Sequence, residues 1–306
     1  MKKKSFKISD YVQYIGLRAF VSVIRLLPLN IGMLVGKSLA YAIYLIDSKH
    51  RKVADENLRN AYGEDLSDFQ IKKIIRRNYL HFASVGIDFI KMPQIVNQNN
   101  WQKHFEVEGL EFVRKARKEG KGIIFVAGHT GNWEVLGCAF EFFFQPVHAI
   151  AKHMKNPFVD RFLTRLRKYG NQEIIFKEKA AREMIKVLKN NKCFGILVDQ
   201  NARKNSIFVD FFGQKAATTR VVATLSLKTG APIIMVFLRR SDRGYKFKIS
   251  LSKPVQIEKT GDLEKDILNL TQRYTTIMES RIREHPHEWM WLHRRWKTRP
   301  PSASSP

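Results

Sequence analysis

The sequence predicts an α/β fold, in which a central, mostly parallel or mixed sheet is flanked by helices and follows an N-terminal helical extension. From about residue 105, short apolar runs alternate with amphipathic stretches, which is typical of strands joined by helices in a largely parallel sheet. One run, 122–127, is almost wholly apolar, as expected of a strand buried on both faces. Residues 11–47 are rich in apolar side chains but lack this alternation, which indicates a separate helical segment.

The N-terminal extension is predicted to form two helices, at 8–26 and 29–47, because Pro28 interrupts the helical pattern. No short apolar core with a small-residue cleavage site follows the basic start, so a signal peptide is not predicted. Lys37 is the only formal charge within 26–46, a stretch close to the length of about 20 residues that a membrane span needs. We expect an interfacial anchor whose basic side chains meet anionic headgroups. Two packed core helices and a true span are the alternatives.

The remaining elements follow from apolar periodicity along the chain. A long helix is predicted at 65–92, and a linking segment or short strand at 101–109. Strands are predicted at 122–127, 147–151, 173–176, 193–198, 232–238 and 245–251. Helices are predicted at 133–144, 157–168, 179–189, 218–228 and 262–283. The chain is therefore expected to divide into a membrane-associating segment at 1–60, an α/β domain at 61–300 and a flexible tail at 301–306.

The charge balance points to an anionic partner. Lys and Arg number 54 and Asp and Glu 28, which gives a net charge of +26. Such an excess favours nucleic acid, an anionic membrane surface, or an acidic protein or phosphorylated substrate. Nucleic acid is disfavoured, because the basic residues are scattered and no nucleic-acid-binding module is recognisable. With only two cysteines, Cys138 and Cys193, a disulfide-rich secreted module and a Cys-rich zinc site are also disfavoured.

The stretch 122–134 carries the most chemical information. An apolar strand ends at Gly128, His129 lies in the following turn, and Asn132 is a candidate cap for the next helix. Glu134 then falls in the first helical turn. Two residues five apart on one helix point in different directions, so His129 and Glu134 can meet only if the histidine lies on the loop.

An imidazole beside a carboxylate forms the base and its orienting group, as in a catalytic triad without a nucleophile. The nucleophile would then come from the substrate, most simply as a hydroxyl group. Amides of the turn 130–132 are candidate donors to an oxyanion. The alternative is a turn-capping His129 and a solvated Glu134 near the helix dipole.

Further blocks accompany this motif. They are Asn-Pro-Phe-Val-Asp at 156–160 followed by Arg165, Arg167 and Gly170, then Val198-Asp199-Gln200, Phe-Phe-Gly at 211–213 with Ala-Thr-Thr at 217–219, Thr-Gly-Ala-Pro at 229–232, and the Trp- and Arg-rich stretch 285–297. Together with 128–134, these blocks resemble the bacterial lipid A biosynthesis (lauroyl or myristoyl) acyltransferase family, within the glycerolipid acyltransferase superfamily. The similarity spans nearly the whole chain. Arg220 departs from the small residue or proline expected there.

The resemblance implies a glycerolipid acyltransferase-like fold and transfer of a fatty acyl chain from acyl carrier protein to a hydroxyl of a lipid A precursor. His129 would be the general base and Glu134 its orienter. Arg167 or Arg165 would bind phosphate or polarise the thioester. Asp199, Asn132 and Gln200 would line the substrate site. A related acyltransferase with another glycolipid or phospholipid acceptor is the alternative.

The same resemblance implies no metal or other cofactor. Its partners would be an acyl carrier protein thioester, an anionic phosphorylated glycolipid and an anionic membrane surface, with no nucleic acid. The expected location is the cytoplasmic face of the bacterial inner membrane, peripheral or monotopic, with a single pass as the alternative.

The remaining candidate residues are not predicted to take part in catalysis. Cys138 is predicted to be a small core residue, and His153, His285 and His293 to be structural or exposed. The tryptophans of 289–296 are expected either to hold a headgroup at a membrane interface or to pack in the core.

Overall fold

The computed structural model describes residues 7–176, 180–203, 206–241 and 244–301. Four helices lead into the sheet: α1 (Ile8–Leu26), α2 (Leu29–Ile46), α3 (Ser48–Tyr62) and α4 (Asp68–Ile95). The predicted division of the extension at Pro28 is confirmed, since α1 ends at Leu26 and α2 begins directly after the proline. Its basic residues 2–6 and the predicted tail residues 302–306 lie outside the described residues.

Helix α4 is the platform on which the N-terminal helices rest. A capping box formed by Ser67 and Gln70 starts it, because each side chain satisfies a backbone amide of the other. Three helices, α1, α2 and α3, pack along it. The α4 residues Ile87 and Ile90 form a small apolar cluster with Val21 and Ile24 of α1. The extension is thereby attached directly to the α/β domain.

Helix α3 was not predicted. Its outer face is strongly charged, and the apolar residues that recur on the other face, Ala54 and Leu58, belong to the main core of the α/β domain. The predicted division at residue 60 therefore falls inside a helix that packs against this core.

The central sheet has seven strands. In chain order they are β1 (Phe105–Glu108), β2 (Ile123–Ala127), β3 (His148–Ala151), β4 (Ile174–Phe176), β5 (Cys193–Leu197), β8 (Ile233–Arg240) and β9 (Phe247–Leu251), while β6 (Ser206–Phe211) and β7 (Gln214–Thr219) form a separate hairpin. The strand order is β1-β9-β8-β2-β5-β3-β4. All neighbouring strands run parallel except β8 and β9. The predicted mostly parallel or mixed sheet is confirmed.

Helices cover both faces of this sheet. They are α5 (Leu110–Lys118), α6 (Trp133–Phe143), α7 (Pro157–Arg167), α8 (Ala180–Lys189), α9 (Val221–Thr229) and α10 (Leu263–Glu284). Side chains of β2 alternate between two buried clusters, with Ile124 and Val126 in one and Phe125 and Ala127 in the other. Because both faces are covered, β2 is wholly buried, as its apolar sequence predicts.

One predicted helix start differs from the structure, and another cannot be compared. The helix predicted at 218–228 begins only at Val221, because Thr218 and Thr219 are the last residues of β7 and pair with β6. The turn of this hairpin is formed by Phe212 and Gly213, both with positive φ, as type I′ turns require. Lys179, the predicted first residue of the helix at 179–189, lies outside the described residues.

Candidate active site

Parallel pairing of β2 and β5 brings two of the predicted site residues together. Ala127 is level with Leu197 in the strand register, so His129 and Asp199, each two residues further on, emerge side by side. Both lie at the carboxyl edge of the sheet, where ligands of open α/β sheets usually bind. Gly128 allows this approach, since a Cβ there would lie 2.9 Å from the Met278 sulfur and 3.1 Å from Asp199 Oδ2.

Asp199 fixes the orientation of the His129 ring. Its Oδ1 lies 2.7 Å from His129 Nδ1, and its Oδ2 accepts from the backbone amide of His129 at 2.6 Å. Trp289 Nε1 donates to the same Oδ2 at 2.8 Å, so the buried carboxylate has three partners. This arrangement favours the tautomer with the proton on Nδ1, which leaves the Nε2 lone pair available. The side chain of Gln200 is 3.4 Å from that Nε2.

Burial and charge act in opposite directions on this pair. Burial by itself would lower the pKa of His129, but the charge and hydrogen bond of Asp199 outweigh it, so the pKa is raised above 6.5. Burial would likewise raise the pKa of Asp199, yet the charge of His129 and the hydrogen bonds lower it to about 2. The carboxylate is therefore ionised at any physiological pH, and the imidazole is a strengthened base.

Glu134 does not make the predicted hydrogen bond to His129. It accepts two hydrogen bonds from Arg167, from Nε at 3.0 Å and from Nη2 at 2.7 Å. The pairing differs from the prediction because α6 directs Glu134 toward the end of α7, while β5 supplies the carboxylate that contacts the imidazole. Glu134 is still near enough for its charge to raise the pKa of His129, a smaller effect than that of Asp199.

Asn132 caps α6, as predicted, and also anchors the turn. Its Oδ1 accepts from the Val135 amide at 3.1 Å, and its Nδ2 lies 3.4 Å from Asp88 Oδ2 on α4. Its backbone amide donates to Leu238 O at 3.1 Å, so this amide is not a free oxyanion donor. Gly131, with φ of +61°, is required here because a Cβ would lie 1.9 Å from Leu238 O.

A cavity of about 720 Å³ opens beside the His129 ring. Glu134, Arg167 and Gln200 line its polar side together with His129. The rest is mainly apolar and lies between α6 and the sheet, with walls formed by side chains such as Phe125, Phe140, Val147, Leu197 and Val236. A long apolar ligand with one reactive polar end fits such a lining.

The other predicted residues fall outside this constellation. Arg165 is exposed, whereas Arg167 lines the cavity, which distinguishes the two candidate arginines. Cys138 is buried in the core, and burial raises the pKa of its thiol to about 12. Trp289, Trp291 and Trp296 are at most 5% exposed, which excludes them from a membrane interface and places them in the core. Arg220, which departs from the residue expected before α9, forms an ion pair with Glu264 of α10.

His153 and His293 each have a partner, as structural or exposed residues do. His153 bonds the Asp160 carboxylate at 2.7 Å, and His293 Nε2 accepts from the Asn201 amide at 3.1 Å. Within the described part of the chain, no group of three or more His, Cys, Asp or Glu side chains is arranged to hold a metal ion.

Sequence reasoning missed the pairing role of Asp199, the hydrogen bond from Trp289 and the aromatic wall formed by Trp133. The ring of Trp133 lies edge-on to that of His129, with centroids 5.1 Å apart. One signal could have indicated the pairing. Asp199 directly follows an apolar run, and His129 follows another after one residue. The carboxyl ends of neighbouring parallel strands lie close together, so the two side chains would meet if their strands were neighbours. The sequence alone did not show that these two strands are neighbours.

Comparison with known proteins finds acyltransferases among the relatives of this chain. The chain is 26% identical over 262 residues to the lipid A biosynthesis palmitoleoyltransferase of Escherichia coli K12, covering 84% of this chain and 82% of that protein. It is 25% identical over 299 residues to the lipid A biosynthesis lauroyltransferase of the same organism, covering 96% and 94%. A phosphatidylinositol mannoside acyltransferase of Mycolicibacterium smegmatis is 20% identical over 244 residues, 78% of this chain and 77% of that protein.

The family description matches nearly the whole chain. The profile described as bacterial lipid A biosynthesis acyltransferase aligns with residues 1–298, which include both strands of the site and the N-terminal helices. In the site, His129 is oriented by Asp199 and lies beside a mainly apolar cavity. The chain is therefore an acyltransferase and belongs to the bacterial lipid A biosynthesis acyltransferase family.

Proposed function

We propose that this acyltransferase moves a fatty acyl chain from the thioester of acyl carrier protein to a hydroxyl group of a lipid A precursor. One observation carries the proposal: the Nδ1 edge of His129 is held by Asp199, while the ring lines a mainly apolar cavity. A base in this position serves a substrate hydroxyl, because no serine or cysteine nucleophile stands beside His129 among the described residues.

The proposed reaction balances without a cofactor. His129 Nε2 takes the proton of the acceptor hydroxyl as its oxygen bonds to the thioester carbonyl carbon. The carbon–sulfur bond then breaks, and the proton passes from His129 to the departing thiolate. Asp199 stabilises the imidazolium that exists between these two transfers. General-base assistance of this kind typically contributes about 10²- to 10⁴-fold to the rate.

Arg167 is proposed to polarise the thioester carbonyl. Glu134 occupies its Nε and one Nη2 hydrogen, and a guanidinium has five N–H donors, so further donors remain for a substrate oxygen. Glu134 is accordingly proposed to position Arg167 and only indirectly to affect His129. This revises the role expected from the sequence, in which Glu134 orients the base.

Membrane attachment is proposed to use the outer faces of α1 and α2. Helix α2 packs against α4 through small residues, Gly32, Gly36 and Ala40, and a Cβ on Gly36 would lie 2.7 Å from Ile87 Cγ1. Its other side exposes large apolar residues, namely Ile31, Leu34, Val35, Leu39, Tyr41, Ile43, Leu45 and Ile46. Among the described helices, α2 has the length and mean hydropathy, 1.5, of a membrane span, yet it lies along the domain. This supports a peripheral or monotopic attachment, which we propose is to the cytoplasmic face of the inner membrane.

The identity of the acceptor lipid has one alternative. Relatives of this chain include acyltransferases named for phosphatidylinositol mannoside as well as for lipid A. The geometry at His129 requires only a hydroxyl, so both acceptor classes suit it. The identities to lipid A enzymes, at up to 28% over 260 residues, support the lipid A precursor.

Lipid mass spectrometry after incubation of the purified protein with acyl carrier protein thioesters and candidate acceptors tests the function. We expect a mass gain of one acyl chain on the lipid A precursor and loss of that product in His129→Ala, with folding retained. His50→Ala, which removes an exposed histidine of α3, serves as the control. Full activity of the His129 variant would contradict the mechanism, and acylation of another lipid alone would contradict the acceptor.

A further inference from the structure

A group of arginine and histidine side chains lies outside the cavity described above. It is next to the turn 128–132 that carries His129, which we call the catalytic turn. It comprises six arginine and histidine side chains from four parts of the fold. We name it the basic cluster: Arg77 and His81 of α4, Arg239 at the end of β8, Arg281 of α10, and His285 and His287 of the segment after α10.

Contacts join three members of the basic cluster, Arg77, His287 and His81. Arg77 Nη2 lies 3.3 Å from His287 Nε2, and the rings of His287 and His81 are 6.3 Å apart between centroids. Arg239 Nε donates to Glu288 Oε1 at 3.3 Å. Burial, together with the charge of Arg77, lowers the pKa of His287 to about 4. The histidine is therefore neutral and can donate one hydrogen bond.

Among the described residues, two of the three arginines of the basic cluster are paired with carboxylates, and the third, Arg77, is not. Glu288 is paired with Arg239, and Glu284 is paired with Arg281 at 2.7 Å. Within the described part of the chain, Arg77 has no carboxylate within 4.0 Å, and its close neighbour is an imidazole. An exposed guanidinium beside a histidine edge is a suitable site for a doubly charged oxyanion, which both groups can contact.

The basic cluster is attached to the catalytic turn by short links. His81 Nε2 bonds the carbonyl of Gly131 at 3.0 Å. Thr130 pairs with Trp289, two residues after His287, and the Met290 amide donates to His129 O at 3.1 Å. In the sheet order, β8, which carries Arg239 at its end, lies on one side of β2, while β5 and β3 lie on the other. None of the six side chains of the basic cluster lines the apolar cavity that His129 borders.

We propose that the basic cluster binds a phosphate group of the acceptor lipid and so presents the acceptor hydroxyl to His129 from the side opposite the acyl donor. This inference rests on the proposed function. Arg167, the phosphate ligand considered from the sequence, is paired with Glu134, and its remaining donors are proposed above to contact the thioester on the donor side. Donor and acceptor then approach the base from opposite sides of the turn and do not compete for one pocket.

The test compares Arg77→Gln with Arg76→Gln, which removes an equal charge from the neighbouring exposed position of α4. Both full-length variants are assayed in neutral detergent micelles with the phosphorylated acceptor and with the same glycolipid after phosphatase treatment. We expect Arg77→Gln to raise KM for the phosphorylated acceptor about tenfold, the value of one charged hydrogen bond, with kcat within about twofold. KM for the dephosphorylated acceptor, and both constants of Arg76→Gln, should stay at wild-type values. Arg281→Gln should show the same selective effect.

Three results would overturn the proposal: an equal rise in KM for both acceptors, the same rise in Arg76→Gln, or no rise. Repeating the assay in vesicles with and without phosphatidylglycerol distinguishes the source of the phosphate, since an effect confined to anionic vesicles would assign the basic cluster to membrane headgroups. A binding measurement separates this inference from the proposed function. Inorganic phosphate should raise the melting temperature of the wild type, but not of Arg77→Gln, above that in chloride of equal ionic strength. That result would stand even if no acyl transfer were found.

Discussion

The imidazole of His129 is held by a carboxylate that lies 70 positions further along the chain. Asp199 contacts both the ring and the backbone amide of His129, and Trp289 holds Asp199 from the other side. The ring orientation is thus set by buried groups with few alternative conformations. Preorganisation of this type lowers the reorganisation that the chemical step requires.

Replacing Asp199 with Asn should reduce kcat by about 100-fold or more, because the amide neither selects the tautomer nor stabilises the imidazolium. The pH profile adds a second readout. The base works in its neutral form, so the rate rises as pH passes through the pKa of His129, which Asp199 holds above 6.5. Without the carboxylate this pKa falls, and the acidic limb of the residual activity should move to lower pH.

Asp160→Asn is the matched control for the Asp199 variant, since it removes a carboxylate from another histidine pair, that of His153. The measurement is kcat against pH for wild type and both variants. An acidic limb that stays in place in Asp199→Asn would refute the pairing as the cause of the raised pKa.

The ion pair of Glu134 and Arg167 should act as a unit. Glu134→Gln and Arg167→Gln are each expected to lower kcat at least tenfold, because the first releases the guanidinium from its position in the cavity and the second removes it. The double variant should lose little more than the worse single one, as residues of one network are not additive. Glu141→Gln, on the same helix, should be neutral. Additive losses would show that Glu134 acts independently of Arg167.

Helix α6 and the strands beneath it enclose the apolar part of the cavity. Phe125 of β2 and Gly195 of β5 lie in its wall, with Phe140 on the facing helix. These elements were predicted from apolar periodicity, but the space between them was not, since it depends on side-chain volumes across three elements. Its depth is expected to set the acyl chain length.

Gly195 provides a direct test of this space. A Cβ there would lie 3.4 Å from Val147 Cγ1, so Ala fits with little adjustment, whereas Leu would project into the cavity. We expect Gly195→Leu to shift acylation toward donors several carbons shorter, and Gly195→Ala to keep the wild-type preference. Competition among acyl carrier protein thioesters of graded length measures the shift. An unchanged chain-length preference in Gly195→Leu would place the acyl chain elsewhere.

The whole molecule presents an apolar surface on the side of α1 and α2. Tyr14 of α1 stacks on Phe158 of α7, with ring centroids 5.7 Å apart, and α7 carries Arg167 at its other end. The surface proposed to touch the membrane is therefore continuous with an element that borders the cavity.

Membrane attachment through α2 predicts a specific loss on substitution of its outward residues. Leu34→Glu with Leu39→Glu should abolish flotation with anionic vesicles, because two charges would enter the apolar interface. Activity on acceptor in detergent micelles should change less than about twofold. Leu263→Glu, at an exposed apolar position of α10, is the control and should float normally. Unchanged flotation of the double variant would refute the attachment surface.

Helix boundaries, buried strands and helix caps of this protein were predictable from the sequence. Pro28 separated two helices, an apolar run defined β2, and Asn132 capped the helix that carries Glu134. Periodicity and capping depend on neighbours within a few residues, so one sequence is sufficient to find them. The turn with His129 at the end of a buried strand belongs to this class.

The partners of these residues depended on the tertiary structure. Strand order made Asp199 the neighbour of His129. Packing of helices joined Glu134 to Arg167 and brought Arg77 to His287, 210 positions away. The net charge of +26 was visible from composition alone, but the position of Arg77 near the turn of His129 was not. Contacts between distant segments follow from how helices and strands pack together, and the periodicity of one segment contains no information about the segment beside it.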